Sequence, residues 1–194
     1  MKQARVLTQT EIKRLLKVVS TTKHAGRNRL IVMLSYLAGL RACEIAALRV
    51  GDVITELNDS WEVKNEVLLK SSQTKGSKAQ TVVFSTQLMK EIGDYYKTIR
   101  LVVSRNDHLI GSQKKAGFSS QTIQGLFREL YESAGISNAS SHSGRRTFIT
   151  ALSEKGVSVR VIQALARHSS LATTQKYIDV SQDKLRSAVE TVIF

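Results

Sequence analysis

The stretch "ARHSSLATTQKYI", residues 166–178, gathers one histidine, four small hydroxyl residues and one tyrosine. His168 and Tyr177 stand nine positions apart, too far for one turn of helix, so a turn and a short helix fall between them. With the preceding "SVRVIQALARH" the stretch reads as two short helices joined by a turn. One reading is a helix-turn-helix in which Tyr177 is an ordinary half-buried aromatic. The other makes Tyr177 a reacting group set just past the second helix. The choice depends on the rest of the chain.

With 194 residues, 42% hydrophobic and 23% charged, the chain has the make-up of one globular domain with a real core. Lys and Arg outnumber Asp and Glu 29 to 16, a net charge of +13. Such an excess points to an anionic partner, and nucleic acid comes first because neutralised phosphates release counterions. A membrane surface is disfavoured, since the basic residues are spread along the chain and flank no apolar anchor. The longest apolar run, "LIVMLSYLAGL" (30–40), is too short to span a bilayer. The N-terminus lacks the apolar centre of a signal peptide. The single cysteine, Cys43, permits no internal disulfide and suits a reducing, cytoplasmic compartment, and nucleic acid as the first suspected partner makes that setting nucleoid-associated. Its helical, apolar surroundings predict a buried, inert thiol.

Along the chain, Thr8 and Glu11 form a capping box that opens a helix with Ile12, Leu15, Leu16 and Val19 on one face. A second helix runs from about Asn28, apolar nearly all round and so central, until Gly39 breaks it. "RACEIAALRV" continues as a short helix. From Asp52, "DVITEL", "NEVLLKSS" and "AQTVVFS" are β-branched runs separated by turn residues, predicting a small antiparallel three-stranded sheet. The last two form a hairpin with Lys75, Gly76 and Lys78 at its tip. Ser- or Thr-capped helices return at "STQLMKEIGDYYKTIRLVV" and "SSQTIQGLFRELYESAGI", and "SHSGRRTFITALSEKGV" forms the next helix. A final amphipathic helix, 183–194, carries Leu185, Ala188, Val189, Val192 and Ile193 on one stripe. The fold class expected is α+β, mostly α, in one domain over 1–194.

Four stretches carry candidate chemistry. In "GLRACEI" (39–45), Arg41 follows a glycine break with Glu44 one turn on, either an anion-binding arginine or a helix-capping pair. In "TKGSK" (74–78), Lys75 stands beside glycine, either reaching a ligand or lying in a solvated turn. In "SHSGRRTF" (141–148), His142 and Arg145 share a face at a helix start, an arrangement that binds phosphate. The fourth is the stretch holding His168 and Tyr177. Taken singly, each has an ordinary structural explanation.

Taken in order and separation, "GLRACEI", "TKGSK", "HSGRRTF" and "ARHSSLATTQKYI" resemble the catalytic domain of the tyrosine recombinase (phage integrase) family, over nearly the whole chain from about Leu7. The resemblance implies a helical catalytic domain and a catalytic set of Arg41, Lys75, His142, Arg145, His168 and Tyr177. It also implies site-specific cutting and rejoining of double-stranded DNA through a 3′-phosphotyrosine. Self-association is implied as a tetramer on paired DNA sites, with the terminal helix donated to a neighbour. Arg146 departs from the family, standing where a second histidine is usual. Most members carry an N-terminal helical domain that completes a clamp around DNA. It is expected to be absent here, the chain being either a fragment or a short form resembling the invertases of fimbrial phase variation.

The chemistry of these residues fits independently. Attack on a phosphodiester builds charge on non-bridging oxygens, and arginine forks at Arg41 and Arg145 suit its stabilisation. Tyrosine ionises at about pH 10 in water, so Tyr177 needs cations and a base, with His142 accepting its proton and His168 donating to a phosphate oxygen. Lys75 protonates the departing 5′ oxygen. No histidine pair has zinc spacing and no acidic cluster suits magnesium, so neither metal nor cofactor is expected. Two rivals remain. A non-cutting DNA-binding regulator derived from a recombinase fits poorly with six filled positions, and a type IB topoisomerase-like relaxase fits poorly with the histidine before the tyrosine.

Overall fold

The computed structural model describes residues 4–58, 60–74, 78–111, 117–177, 185–186 and 189–190. The chain divides into two compact units, Met1–Phe148 and Ile149–Phe194.

The first unit is built around α2 (Ala25–Ala38), whose residues Leu30 to Ser35 are all buried. It begins three residues earlier than the sequence suggests, because Gly26, a weak helix former, masks its first turn. α1 (Gln9–Ser20) opens with the expected capping box. Thr8 Oγ1 accepts from the Glu11 N–H, and Glu11 accepts from the Thr8 N–H at 2.9 Å. Its Ile12, Leu15 and Val19 are buried, with Leu16 partly so. α5 (Thr86–Ile99) is capped by Ser85 and joined to α2 by the Arg29–Glu91 ion pair. α6 (Ser120–Ser133) is capped by Ser119 and packs on α1 and α3 (Ala42–Ala47). α4 (Val50–Val53) follows directly.

The sheet differs from expectation. Instead of three strands in one sheet there are two separate antiparallel pairs, β1 (Ile54–Leu57) with β2 (Ser60–Val63) and β3 (Glu66–Leu69) with β4 (Gln80–Val83). The additional strand is β2. Leu57 pairs with Ser60, and Asn58 takes a left-handed φ of 50°, so what reads as a break in the sequence is a hairpin turn. Strand β2 is fixed by Trp61, whose ring meets Tyr96 of α5 edge-on at 5.0 Å. Cys43 is only half-buried, another departure. On α3, Ala42, Glu44, Ile45 and Ala46 turn inward, which leaves Cys43 and Ala47 on the partly open side.

α7 (Ser143–Glu154) leads from the first unit into the second. There α8 (Val159–Ala166), capped by Ser158, packs against α9 (Leu171–Gln175) with Ile162, Ala166 and Thr174 fully buried. Of the expected terminal helix only 185–186 and 189–190 are among the described residues, with Leu185 and Val189 exposed. Ala188, Val192 and Ile193 lie outside them. Among the described residues no helix is long and apolar enough to cross a membrane.

Candidate functional site

Arg41 owes its position to a sharp corner. Gly39 ends α2 with φ +59°, a conformation costly for any residue with a Cβ. The chain then passes the fully buried Leu40 to Arg41, the N-cap residue of α3. The carboxylate of Glu44 accepts from the Arg41 backbone N–H at 2.9 Å and from Arg41 Nη1 at 2.5 Å. Glu44 is fully buried and the Arg41 side chain is 20% exposed. The capping pair and the candidate phosphate ligand are therefore the same residue. Arg41 is held by its backbone N–H and by one guanidinium nitrogen, and the rest of its side chain is only partly covered.

The start of α7 is built onto this corner. Ser143 caps its own approach, its Oγ accepting from the Ser140 N–H at 3.0 Å. His142, exposed, immediately precedes the helix. Arg145, buried, donates from Nη1 to the carbonyl of Gly39 at 2.5 Å, two residues before Arg41. The approach needs both glycines. A Cβ on Gly39 would lie 2.7 Å from the Phe148 ring, and one on Gly144 would lie 2.6 Å from Ser35 Oγ. The structure thus brings Arg41 and Arg145 to one corner, with His142 one turn before Arg145.

Arg146, at the departure from the family pattern, has a packing role. It donates to the Ala4 carbonyl, and the neighbouring Thr147 hydroxyl accepts from the Leu7 N–H at 2.9 Å. Together they fasten the N-terminal segment to α7.

Lys75 lies outside the described residues. The post before it is well defined. Gln73, in a short 3₁₀ turn (Ser71–Gln73), is buried and donates to the Ala47 carbonyl at 2.9 Å and to Asp52 Oδ2 at 2.7 Å. The base of the hairpin is thereby tied to the helix that begins at Arg41.

In the second unit, α8 ends at Arg167, a non-glycine residue at φ +54°, and the chain turns to present His168. His168 Nδ1 is 2.9 Å from the hydroxyl of Thr174, which is fully buried. Tyr177 lies in the turn after α9, its N–H donating to the Thr174 carbonyl at 3.0 Å. The His168 and Tyr177 rings stack, with centroids 6.0 Å apart and planes at 24°. Thr174 thus holds both residues, one by its side chain and one by its backbone.

Comparison of the five tyrosines isolates Tyr177. Burial pushes the hydroxyls of Tyr95, Tyr96 and Tyr131 above their usual range, Tyr131 most strongly, which disfavours a phenolate. Tyr96 also donates to Glu56 at 2.9 Å, while Tyr36 accepts from Gln9 at 3.1 Å. Tyr177 is half-exposed and, among the described residues, the tyrosine stacked on a histidine. No cluster of three metal-ligating side chains occurs among the described residues.

Sequence reasoning missed Thr174, Gln73 and the Gly39 carbonyl. Thr174 had a signal in the hydroxyl run of 169–174. A backbone carbonyl carries no residue-type signal at all.

The phage integrase family model matches residues 5–184. The chain is 33% identical over 187 residues to the tyrosine recombinase XerA of Pyrococcus furiosus, covering 95% of this chain and 60% of that protein. It is 32% identical to the tyrosine recombinase XerD of Neisseria meningitidis, covering 95% and 62% respectively. A crystal structure of XerA recombinase superposes with a TM-score of 0.74 at 27% identity, covering 97% of this chain and 66% of that one. The chain therefore spans about 60% of the length of the curated relatives it matches.

Proposed function

The chain belongs to the phage integrase family, and from that membership we propose that it is the catalytic domain, over 1–194, of a site-specific DNA recombinase. The observation that carries this reading is Tyr177 stacked beside His168 at 6.0 Å, both held by Thr174. A half-exposed phenol stacked on an imidazole sets a nucleophile beside a group that can bind the phosphate it attacks.

In the first step Tyr177 Oη attacks the phosphorus, forming a 3′-phosphotyrosine and breaking the bond to the 5′ oxygen. His142 takes the phenolic proton and Lys75 supplies the proton to the leaving 5′ oxygen. Arg41 and Arg145 neutralise the non-bridging oxygens. His168, held through Nδ1 by Thr174, acts on a phosphate oxygen through Nε2. In the second step a 5′ hydroxyl of another strand attacks the phosphotyrosine and releases Tyr177. The linkage conserves the bond, so neither nucleotide nor metal enters the balance. Two duplexes must be cut on four strands, so protomers assemble as a tetramer on paired sites, with 183–194 as the connecting segment. The setting is the nucleoid.

The test is a pool of nicked suicide duplexes of randomised sequence, in which the short 5′ fragment diffuses away. The wild-type chain is expected to leave a protein–DNA adduct that survives denaturation, and Tyr177→Phe to leave none at near-equal DNA affinity. An adduct with Tyr177→Phe overturns the assignment.

A further inference from the structure

A second basic site lies in the first unit, along one face of β3. A cavity of about 380 Å³ is lined by Arg49, Asp52, Lys64, Lys70 and Arg105, together with Glu66. The period of a strand puts 64, 66, 68 and 70 on one side, while Val67 and Leu69 point into the core.

The charges do not cancel. Four cations meet two carboxylates, and Asp52 already accepts from the Arg49 N–H at 2.9 Å and from Gln73 at 2.7 Å. The Arg49 guanidinium and the Lys64 ammonium donate to the carbonyls of Asn106 and Gly51, neutral groups that leave their charge in place. The side chains of Lys70 and Arg105 have no hydrogen-bond or ion-pair partner among the described residues. The backbone of the wall is hydrogen-bonded. Gly51 donates to the Arg105 carbonyl at 2.8 Å and Val50 to that of Asp107 at 3.0 Å. The Arg105 side chain lies so close over Gly51 that a Cβ there would come within 2.2 Å of it. A net-positive hollow with two exposed, unengaged cations suits an anion.

We propose that this cavity seats a backbone phosphate of duplex DNA away from the reacting phosphodiester, with Arg105 and Lys70 as its direct ligands. The inference rests on the DNA reading above and adds to it a contact site with no part in the chemistry. Lys70 opens the segment that leads to Lys75, so the phosphate and the general acid are borne on one hairpin arm.

The experiment measures affinity for a short duplex of mixed sequence across a series of KCl concentrations, for the wild type and for Lys70→Ala/Arg105→Ala. Lys70 and Arg105 share one phosphate, so losing the pair makes the slope of log affinity against log salt shallower by about one. Lys13→Ala/Lys17→Ala on the exposed face of α1 removes the same charge elsewhere and serves as the comparison. Unfolding temperatures confirm that all three proteins are folded. A cavity-variant slope equal to the wild type's, or changed no more than the α1 pair changes it, overturns the proposal, whatever free phosphate the cavity takes up. Failure of the wild type to bind DNA would instead strike the broader functional reading.

Discussion

Arg145 donates to the carbonyl of Gly39, a residue 106 positions earlier, at 2.5 Å. One guanidinium N–H thus holds the corner that also orients Arg41, while the planar fork is the part proposed to meet a phosphate. Arg145→Lys keeps the charge and loses that division of labour. Its single-turnover cleavage rate is expected to fall by about 100-fold or more, with DNA affinity nearly retained. A Lys variant of wild-type rate would show that charge alone suffices.

Gly39 is subject to two separate constraints, its φ of +59° and the Phe148 ring 2.7 Å from a would-be Cβ. Gly135 has a similar φ of +61° with nothing within 4 Å of its Cβ position. Gly135→Ala therefore carries only the backbone cost, roughly 1 kcal/mol. Gly39→Ala adds crowding and is expected to cost about 1–3 kcal/mol more, read as the shift in denaturant midpoint. Equal shifts would mean that Phe148 gives way freely.

Thr174 is fully buried and holds His168 through Nδ1. Thr174→Val preserves shape but removes the hydroxyl. Cleavage is expected to slow by about tenfold, the worth of one buried hydrogen bond, while duplex binding stays level. A wild-type rate would mean that the stacked geometry alone sets His168.

Glu11 gives the pH-dependent prediction. Hydrogen bonding from the Thr8 backbone, with help from Arg5 and Arg14, lowers its pKa below the ordinary 4.5 despite an opposing cost of burial. A depressed folded pKa means the stabilisation is present above the unfolded value and is lost as pH falls through the folded one. Glu11→Gln can keep the capping bond but not the charge. It should cost about 0.5–1 kcal/mol at neutral pH, with a difference from the wild type that shrinks on acidification below 4.5. A gap of constant size in thermal melts across that range would contradict the charge argument.

Much of this architecture is legible in the residues. The box at Thr8 and Glu11, the serines at 85 and 119, and the stop at Gly39 each act through a local hydrogen bond or a single dihedral. β2 is not legible in that way. "SWEV" alternates over only four residues, and what makes it a strand is Trp61 packing on α5, more than thirty positions away from Tyr96. The site divides along the same line. Spacing shows that Glu44 can reach Arg41 and that His142 and Arg145 share a face, because both are one helical turn. The Arg145–Gly39 contact and the Thr174–His168 bond depend on how elements pack, and no run of residue types announces them.

Gln73, bound at once to Ala47 and Asp52, also sets a length. Lys75 is two residues further on, so its Cα can stray no more than about 7 Å from that of Gln73 even with the chain fully extended. Lys75, the proposed general acid, is on a short leash whose post is bonded to the helix that begins at Arg41. Tethering of this kind makes its encounter with a bound phosphodiester intramolecular, without the translational cost of recruiting a separate amine.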